Sequence, residues 1–170
     1  MSEYKRKTTF DFGTQKAAGK LGEAKFLELW PELKPTSGLA GDFTTPSGAV
    51  VELKSDSYTI ERTTNFFMER YGDIKRQAPG GPWQAMQHGC KYFVYYYPKS
   101  GVAYVFEVQQ LVAQLNALVP QLKMFTIYNS SWQTGGFKVP RVFLQDICLA
   151  ELKVGQEEAN RLQLQKLEGP

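Results

Sequence analysis

Hydrophobic residues recur at helical spacing in two stretches of the chain, residues 14–30 and residues 108–122. Positions three or four residues apart share one side of an α-helix, so both stretches predict amphipathic helices. The first helix should end before Pro31, because proline cannot continue a helix. The predicted apolar stripes consist of Ala17, Leu21, Ala24, Leu27 and Trp30 in the first helix, and of Leu111, Leu115, Leu118 and Leu122 in the second.

Between these helices, short segments rich in β-branched and aromatic residues predict strands. Residues 41–45 and 49–55 flank the turn sequence Pro46-Ser47-Gly48 and predict a β-hairpin. Residues 65–70 have the same character. A hairpin followed by a third strand is therefore expected after the first helix.

The remaining elements complete an α/β pattern. A glycine- and proline-rich loop at 78–82 leads into a short helix near 83–89. Residues 91–97 and 102–108 predict a second hairpin, and residues 124–128 a strand end or an edge strand. This order predicts one α/β domain with a mixed β-sheet flanked by helices.

Length and composition agree with a single domain. The chain has 170 residues, of which 42% are hydrophobic, enough for one core. We expect residues 1–13 to form a flexible arm and residues 155–170 to form a terminal helix or a tail. The sequence has neither a membrane span of about 20 apolar residues nor the apolar run of a signal peptide at its start. We therefore expect a cytoplasmic protein without a membrane partner.

Cysteine, histidine and charge content limit the chemistry. Two cysteines, Cys90 and Cys148, and one histidine, His88, cannot form a Cys/His zinc site, so any metal must be bound by oxygen atoms. A net charge of +3 permits DNA binding without requiring it. Basic clusters such as the one containing Lys20 fit either phosphate contacts or a solvated surface.

The first hairpin brings together side chains that an ordinary strand pair avoids. With a three-residue turn, Phe43 faces Val51 and Asp42 lies opposite Glu52. Directly opposed residues have Cβ atoms about 5 Å apart, where two carboxylates repel each other. A cation is therefore expected between Asp42 and Glu52.

Lys54 should lie on the same side of the strand as Glu52, because side chains alternate and Val51 and Leu53 face the core. The α-carbons of Glu52 and Lys54 are roughly 6.6 Å apart at a rise of about 3.3 Å per residue. The carboxylates, a backbone carbonyl and water can bind Mg²⁺, while the lysine orients or helps to deprotonate an attacking water. The trio predicts phosphodiester hydrolysis, and the alternative is a solvated Glu-Lys surface.

These residues resemble the PD-(D/E)XK nuclease superfamily, which includes restriction endonucleases, phage and recombination exonucleases, and Holliday-junction resolvases. The resemblance rests on Gly41-Asp42-Phe43 and Val50-Val51-Glu52-Leu53-Lys54, with Gly41 in place of the family's proline. It covers residues 14–108 and implies a restriction endonuclease-like αβββαβ core.

The resemblance also implies roles for individual residues. Asp42 and Glu52 would ligate Mg²⁺, for which Mn²⁺ can substitute, and the carbonyl of Leu53 would be a further ligand. Lys54 would position the attacking water. Glu23, on the first helix, would be the fourth catalytic and metal-binding residue, with Glu28 as the alternative.

Several polar residues are candidates for contacts with DNA. Lys20 and Ser55 would lie beside the site, and Gln84 and Gln87 would lie on the helix after the third strand. Each has a structural alternative, namely a solvated surface, a strand end or a polar helix face.

One further acidic residue and one glycine-rich segment are interpreted as having no direct role in catalysis. Glu69 either extends the acidic site or joins a surface network with Arg62 or Arg70, and we favour the network. Ser130-Ser131 and Gly135-Gly136 resemble a flexible loop, because no phosphate-binding motif follows them.

The sequence thus predicts a metal-dependent deoxyribonuclease that acts in phage, restriction or recombination DNA processing. The alternative is a non-catalytic DNA-binding or assembly module that retains the nuclease fold. Nucleases that cut both strands often pair two subunits, and the leucine-bearing tail offers a surface for such a homodimer.

Overall fold

The computed structural model describes residues 12–36 and 40–169, with side chains described from residue 18 onward. Most of the expected arm at 1–13, and the side chain of Ala17, lie outside the described residues. The helices are α1 (Phe12–Phe26), α2 (Gly81–Gln87), α3 (Val108–Leu118) and α4 (Glu157–Glu168). The strands are β1 (Lys34–Pro35), β2 (Phe43–Thr44), β3 (Val50–Ser55), β4 (Asn65–Asp73), β5 (Ala78–Pro79), β6 (Tyr92–Tyr97), β7 (Val102–Glu107), β8 (Met124–Tyr128), β9 (Gln133–Pro140) and β10 (Cys148–Lys153).

A mixed six-stranded sheet forms the centre of the fold, in the order β1-β2-β3-β6-β7-β10. β3 and β6 are parallel, and the other neighbours are antiparallel. All six residues of β6 are buried. The structure therefore confirms a single α/β fold with a mixed sheet and helices.

The two faces of this sheet bury separate clusters of apolar side chains. On one face, Phe26 and Trp30 near the end of α1 and Leu164 of α4 pack on the sheet. On the other face, α2, α3 and a second sheet cover it, with Trp83 and Leu111 among the buried residues. The central sheet is thus the middle layer between two cores.

The buried face of α1 differs from the predicted stripe. Leu21 is 58% exposed, whereas Phe26 is fully buried against the rings of Phe43 and Tyr96. The helix ends at Phe26, and Trp30 lies in the turn that follows. The backbone N–H of Trp30 donates to the Phe26 carbonyl. An aromatic anchor therefore fixes the rotation of α1, which places Gly22 and not Leu21 against the sheet.

The second sheet is antiparallel, in the order β5-β4-β9-β8. Its strand β4 matches the predicted third strand, but β4 pairs with β5 and β9 and not with the first hairpin. The prediction of a flexible loop at 130–136 is wrong from residue 133 onward, because β9 begins there and lies inside this sheet. The glycines of β9 suggested a loop, yet they allow close packing. A Cβ on Gly136 would lie 2.5 Å from Cζ of Phe67.

Most of the other predicted elements are present. The second hairpin is β6–β7 and the short helix is α2. The helix predicted at 108–122 is α3 as far as Leu118, after which Val119–Gln121, containing Pro120, forms a 3-10 helix. The terminal segment is a helix, α4, and not a loose tail. Among the described residues, no helix is long and apolar enough to cross a membrane.

Close packing at Gly136 leads to a stability prediction. In Gly136→Ala the new Cβ would meet the Phe67 ring and lie 2.8 Å from the backbone oxygen of Met68. We expect the free energy of unfolding to fall by about 1–3 kcal/mol, measured by urea denaturation. The control is Gly19→Ala in α1, where a Cβ meets nothing within 4 Å and should be neutral or stabilising by up to about 1 kcal/mol. Equal stabilities for Gly136→Ala and the wild type would contradict this packing.

Candidate active site

The register of the first hairpin is the one that the sequence predicts. Phe43 pairs with Val51 and Thr44 with Val50, and the Thr45 N–H donates to the Ala49 carbonyl at 2.8 Å. Gly48 closes the turn with φ of 87°, a conformation that glycine adopts easily. The second strand therefore carries Glu52 and Lys54 on alternate positions, as expected.

Asp42 lies just beyond the strand ladder and is not a simple cross-strand partner of Glu52. The ladder ends at Phe43, and the Asp42 N–H donates to the Val51 carbonyl at 2.9 Å. The Asp42 carboxylate reaches one residue past Glu52, where Oδ2 accepts the N–H of Leu53 at 2.8 Å. Asp42 is thus fixed on β3 by its backbone and by its side chain.

Gly41 makes this arrangement possible. Its φ is 78°, which a proline ring cannot adopt, so the proline of the family motif would not fit this conformation. A Cβ at this position would lie 2.4 Å from Cγ1 of Val50 and 3.3 Å from Sγ of Cys90. Glycine therefore allows the chain to turn tightly against β3 immediately before Asp42.

The backbone of Leu53 points toward Asp42. The Val50 carbonyl accepts from Lys91 N–H and the Asp56 N–H donates to the Tyr96 carbonyl, so even-numbered residues of β3 direct their backbone groups to β6. Leu53 lies at an odd-numbered position, and its N–H binds Asp42 on the opposite edge. Because the N–H and C=O of one strand residue share an edge, the Leu53 carbonyl lies on the Asp42 side.

Glu23 joins this group from α1. Its carboxyl lies within hydrogen-bonding reach of that of Asp42, and such a hydrogen bond requires that one of the two carries a proton. Burial raises the pKa of Asp42, and burial together with Asp42 raises the pKa of Glu23, while Lys20 lowers it. The close approach of α1 depends on Gly22, where a Cβ would lie 2.4 Å from Oγ of Ser55.

Glu52 completes an acidic cluster of three carboxyl groups, Glu23, Asp42 and Glu52. Burial, and then the charges of Asp42 and Glu23, raise the pKa of Glu52 to about 7. Within the described part of the chain, the salt bridges within 4.0 Å lie elsewhere and none involves this cluster. Burial thus raises the pKa of each of these acids, and repulsion from neighbouring carboxylates raises it further at Glu23 and Glu52. Hydrogen bonds to Leu53 N–H and to Glu23 lower the pKa of Asp42, and the charge of Lys20 lowers that of Glu23. No salt bridge within the described chain compensates the cluster.

The acidic cluster offers the oxygen donors that Mg²⁺ prefers, and its repulsion would be relieved by a cation. Among the described residues, no three His, Cys, Asp or Glu side chains are already arranged around a metal position. Mg²⁺ sites commonly use one or two carboxylates and several waters, so the donor set of Asp42, Glu52 and the Leu53 carbonyl fits this ion.

Glu69 is a further candidate residue of the site, although the sequence favoured a surface network for it. Its side chain is largely buried, which raises its pKa, and Lys54 is the charge that lowers it. The expected surface network is wrong, because Arg70 stacks on Tyr71 and Trp83 and Arg62 stacks on Tyr58.

The sequence feature that could have indicated the position of Glu69 is the glycine pair Gly80-Gly81, which packs against it. A Cβ on Gly80 would lie 2.7–2.9 Å from Cγ, Cδ and Oε1 of Glu69, and one on Gly81 would lie 2.7 Å from its backbone oxygen. The start of α2 therefore approaches Glu69 closely, because the chain carries no side chain at Gly80 and Gly81. Glu69 and Lys54 also line the same groove.

The candidate DNA-contact residues fall into two groups. Lys20 is exposed on α1 and its charge acts on Glu23, so it lies at the acidic cluster. Ser55 is half-buried where α1 meets β3, with its side chain against Gly22. Gln84 and Gln87 are exposed on α2. Within the described chain, no hydrogen bond joins these two glutamines to the cluster through their side chains. Their role in binding DNA stays a prediction.

In comparisons with known proteins, no family model matches the chain, and no curated protein matches it either.

The raised pKa of Glu52 leads to a prediction about pH. Because the folded chain binds this proton more tightly than the unfolded chain, its stabilising effect is complete below pH 4.5 and is lost as pH rises through about 7. Without metal, unfolding free energy should therefore fall over this range by roughly 1–3 kcal/mol, and Glu52→Gln should remove that part of the fall.

Urea denaturation in EDTA at intervals from pH 5 to pH 8 measures this effect. The stability of Glu52→Gln relative to the wild type should increase with pH, whereas Glu32→Gln, at an exposed position, should parallel the wild type. Identical pH slopes for the wild type and Glu52→Gln would show that Glu52 is not perturbed.

Proposed function

We propose that this protein is a magnesium-dependent nuclease that hydrolyses DNA phosphodiester bonds at the acidic cluster. The observation that supports this most strongly is that Glu23, Asp42 and Glu52 converge beside β3, close to Lys54. The pKa of each of the three carboxyl groups is raised. A folded protein rarely gathers partly buried carboxyl groups without a ligand that compensates their charge.

In this proposal Asp42, Glu52 and the Leu53 carbonyl hold Mg²⁺, and Glu23 assists through Asp42. The bound ion would neutralise the carboxylates and stabilise the charge that develops on the phosphate. The hydrogen bond from Leu53 N–H to Asp42 fixes one carboxylate oxygen and leaves the other for the ion.

Lys54 is proposed to orient the attacking water. It lies two residues after Glu52 on the same strand, so it faces the same side and can donate to a water beside the carboxylates. Glu69 of β4 lies near Lys54, where its negative charge would attract the lysine ammonium and restrict its position. Glu69 is therefore a positioning residue in this proposal.

DNA as the substrate comes from the resemblance to the PD-(D/E)XK superfamily. That resemblance also suggests a role in phage, restriction or recombination DNA processing. We further propose a cytoplasmic site of action. We also propose a homodimer, in which Leu162 of α4, 47% exposed, would provide an apolar contact.

Cleavage assays test the proposal directly. Purified protein is incubated with duplex, single-stranded and branched DNA in Mg²⁺, Mn²⁺ or EDTA. We expect metal-dependent cleavage that Lys54→Ala reduces at least a hundredfold, because general acid–base groups contribute about 10²–10⁴-fold. Glu69→Gln should retain measurable cleavage with an altered pH profile.

The matched control is Lys166→Ala, an exposed lysine on α4. It should cleave like the wild type, and urea denaturation should show that Lys54→Ala remains folded. DNA binding without metal-dependent cleavage of any substrate would indicate the non-catalytic module instead.

A further inference from the structure

A groove of about 500 Å³ opens beside Lys54 and continues between the end of β3 and the outer sheet. Its walls include Asp56 and Tyr58 after β3, and Phe125 and Ile127 of β8. A second groove of about 420 Å³ shares Tyr58, Asn65 and Lys138 with the first. The two form one continuous surface that begins at the candidate active site.

Exposed aromatic rings line this surface at two separate places. Tyr58 is 52% exposed and Phe125 is 36% exposed, and neither belongs to the buried clusters of the two cores. The rings come from different elements, the loop after β3 and the edge strand β8. An exposed ring provides a flat apolar face on which a nucleic acid base can stack.

Each ring carries a cation. The Arg62 guanidinium lies 5.3 Å from the centre of the Tyr58 ring. The ammonium groups of Lys138 and Lys123 lie 4.6 Å and 5.5 Å from the centre of the Phe125 ring. Pairs of an aromatic face and a cation present both partners that a nucleotide needs, one for its base and one for its phosphate.

The acids of the groove do not neutralise these cations. The Asp56 carboxylate accepts the Tyr95 hydroxyl at 2.6 Å and the Tyr58 N–H at 2.8 Å, and Glu69 is largely buried. Among the described residues, no carboxylate lies within salt-bridge distance of Arg62, Lys123 or Lys138. The cations beside the two rings are therefore not held in salt bridges and can contact a phosphate backbone.

We propose that this groove binds a single strand of nucleic acid, with bases stacked on Tyr58 and Phe125 and a phosphate delivered to Lys54. In a duplex both faces of each base are covered by neighbouring bases, so protruding aromatic side chains stack on unpaired bases. The substrate of the nuclease would then be a single strand or an unpaired end. This inference rests on the proposed function, because the strand leads to the proposed catalytic lysine.

Fluorescence anisotropy in EDTA measures binding separately from cleavage. The probes are a labelled oligothymidylate of roughly 12 nucleotides, a length that suits one binding groove, and a labelled hairpin duplex of similar charge. We expect tighter binding of the single strand. Tyr58→Ala and Phe125→Ala should each weaken it about tenfold or more, because one base stack contributes about 1–3 kcal/mol.

The matched control is Phe143→Ala. Phe143 is 47% exposed but does not line either groove, so its loss should leave binding unchanged. Two further variants separate stacking from folding: Phe125→Trp keeps an aromatic face and should retain binding, whereas Phe125→Leu keeps an apolar side chain without that face and should not.

Three results would overturn the inference: preference for the duplex, no measurable binding of the single strand, or equal weakening in Phe143→Ala and Phe125→Ala. Failure of the proposed function looks different. Single-strand binding that depends on Tyr58 and Phe125, without cleavage in Mg²⁺ or Mn²⁺, would leave the groove assigned and the nuclease proposal wrong. Metal-dependent cleavage without single-strand binding that depends on Tyr58 and Phe125 would support the nuclease proposal and overturn the assignment of the groove.

Discussion

Three carboxyl groups held together in a partly buried position are the constraint on which the rest of the site depends. Removing a carboxylate from water disfavours its charged form, and each neighbouring carboxylate disfavours it further. Glu52 experiences both effects, and its pKa rises to about 7. The hydrogen bond between Glu23 and Asp42 lessens the repulsion only if one of them is protonated. A divalent cation would relieve all three groups at once.

The fold maintains this unfavourable arrangement through close backbone approach. Gly41 turns the chain before Asp42, and Gly22 lets α1 reach the end of β3. Gly80 and Gly81 bring the loop before α2 over Glu69 in the same way. The buried cores on both faces of the central sheet keep these elements in place, so the free energy of packing offsets the repulsion at the site.

The sequence predicts the elements whose signals are local. The turn of Pro46, Ser47 and Gly48 determines the register of the first hairpin, and leucine spacing determines α3. The rotation of α1 depends on the contact of Phe26 with Phe43 and Tyr96. This contact joins residues far apart in the sequence, so the spacing of apolar residues within the helix cannot reveal it. The position of β9 depends on packing of Gly136 against Phe67, although two adjacent glycines ordinarily indicate a loop. The sequence favoured a surface network for Glu69, because it does not show that Lys54, on a strand of the other sheet, lies nearby.

The central claim is that the acidic cluster binds a divalent metal ion, and a crystal structure grown with Mn²⁺ tests it most directly. Anomalous difference density identifies the ion independently of any activity. We predict a peak at about 2.1–2.2 Å from carboxylate oxygens of Asp42 and Glu52, with the Leu53 carbonyl at a similar distance. A map without a peak there, in which Glu23 and Asp42 still share a hydrogen bond, would contradict the claim.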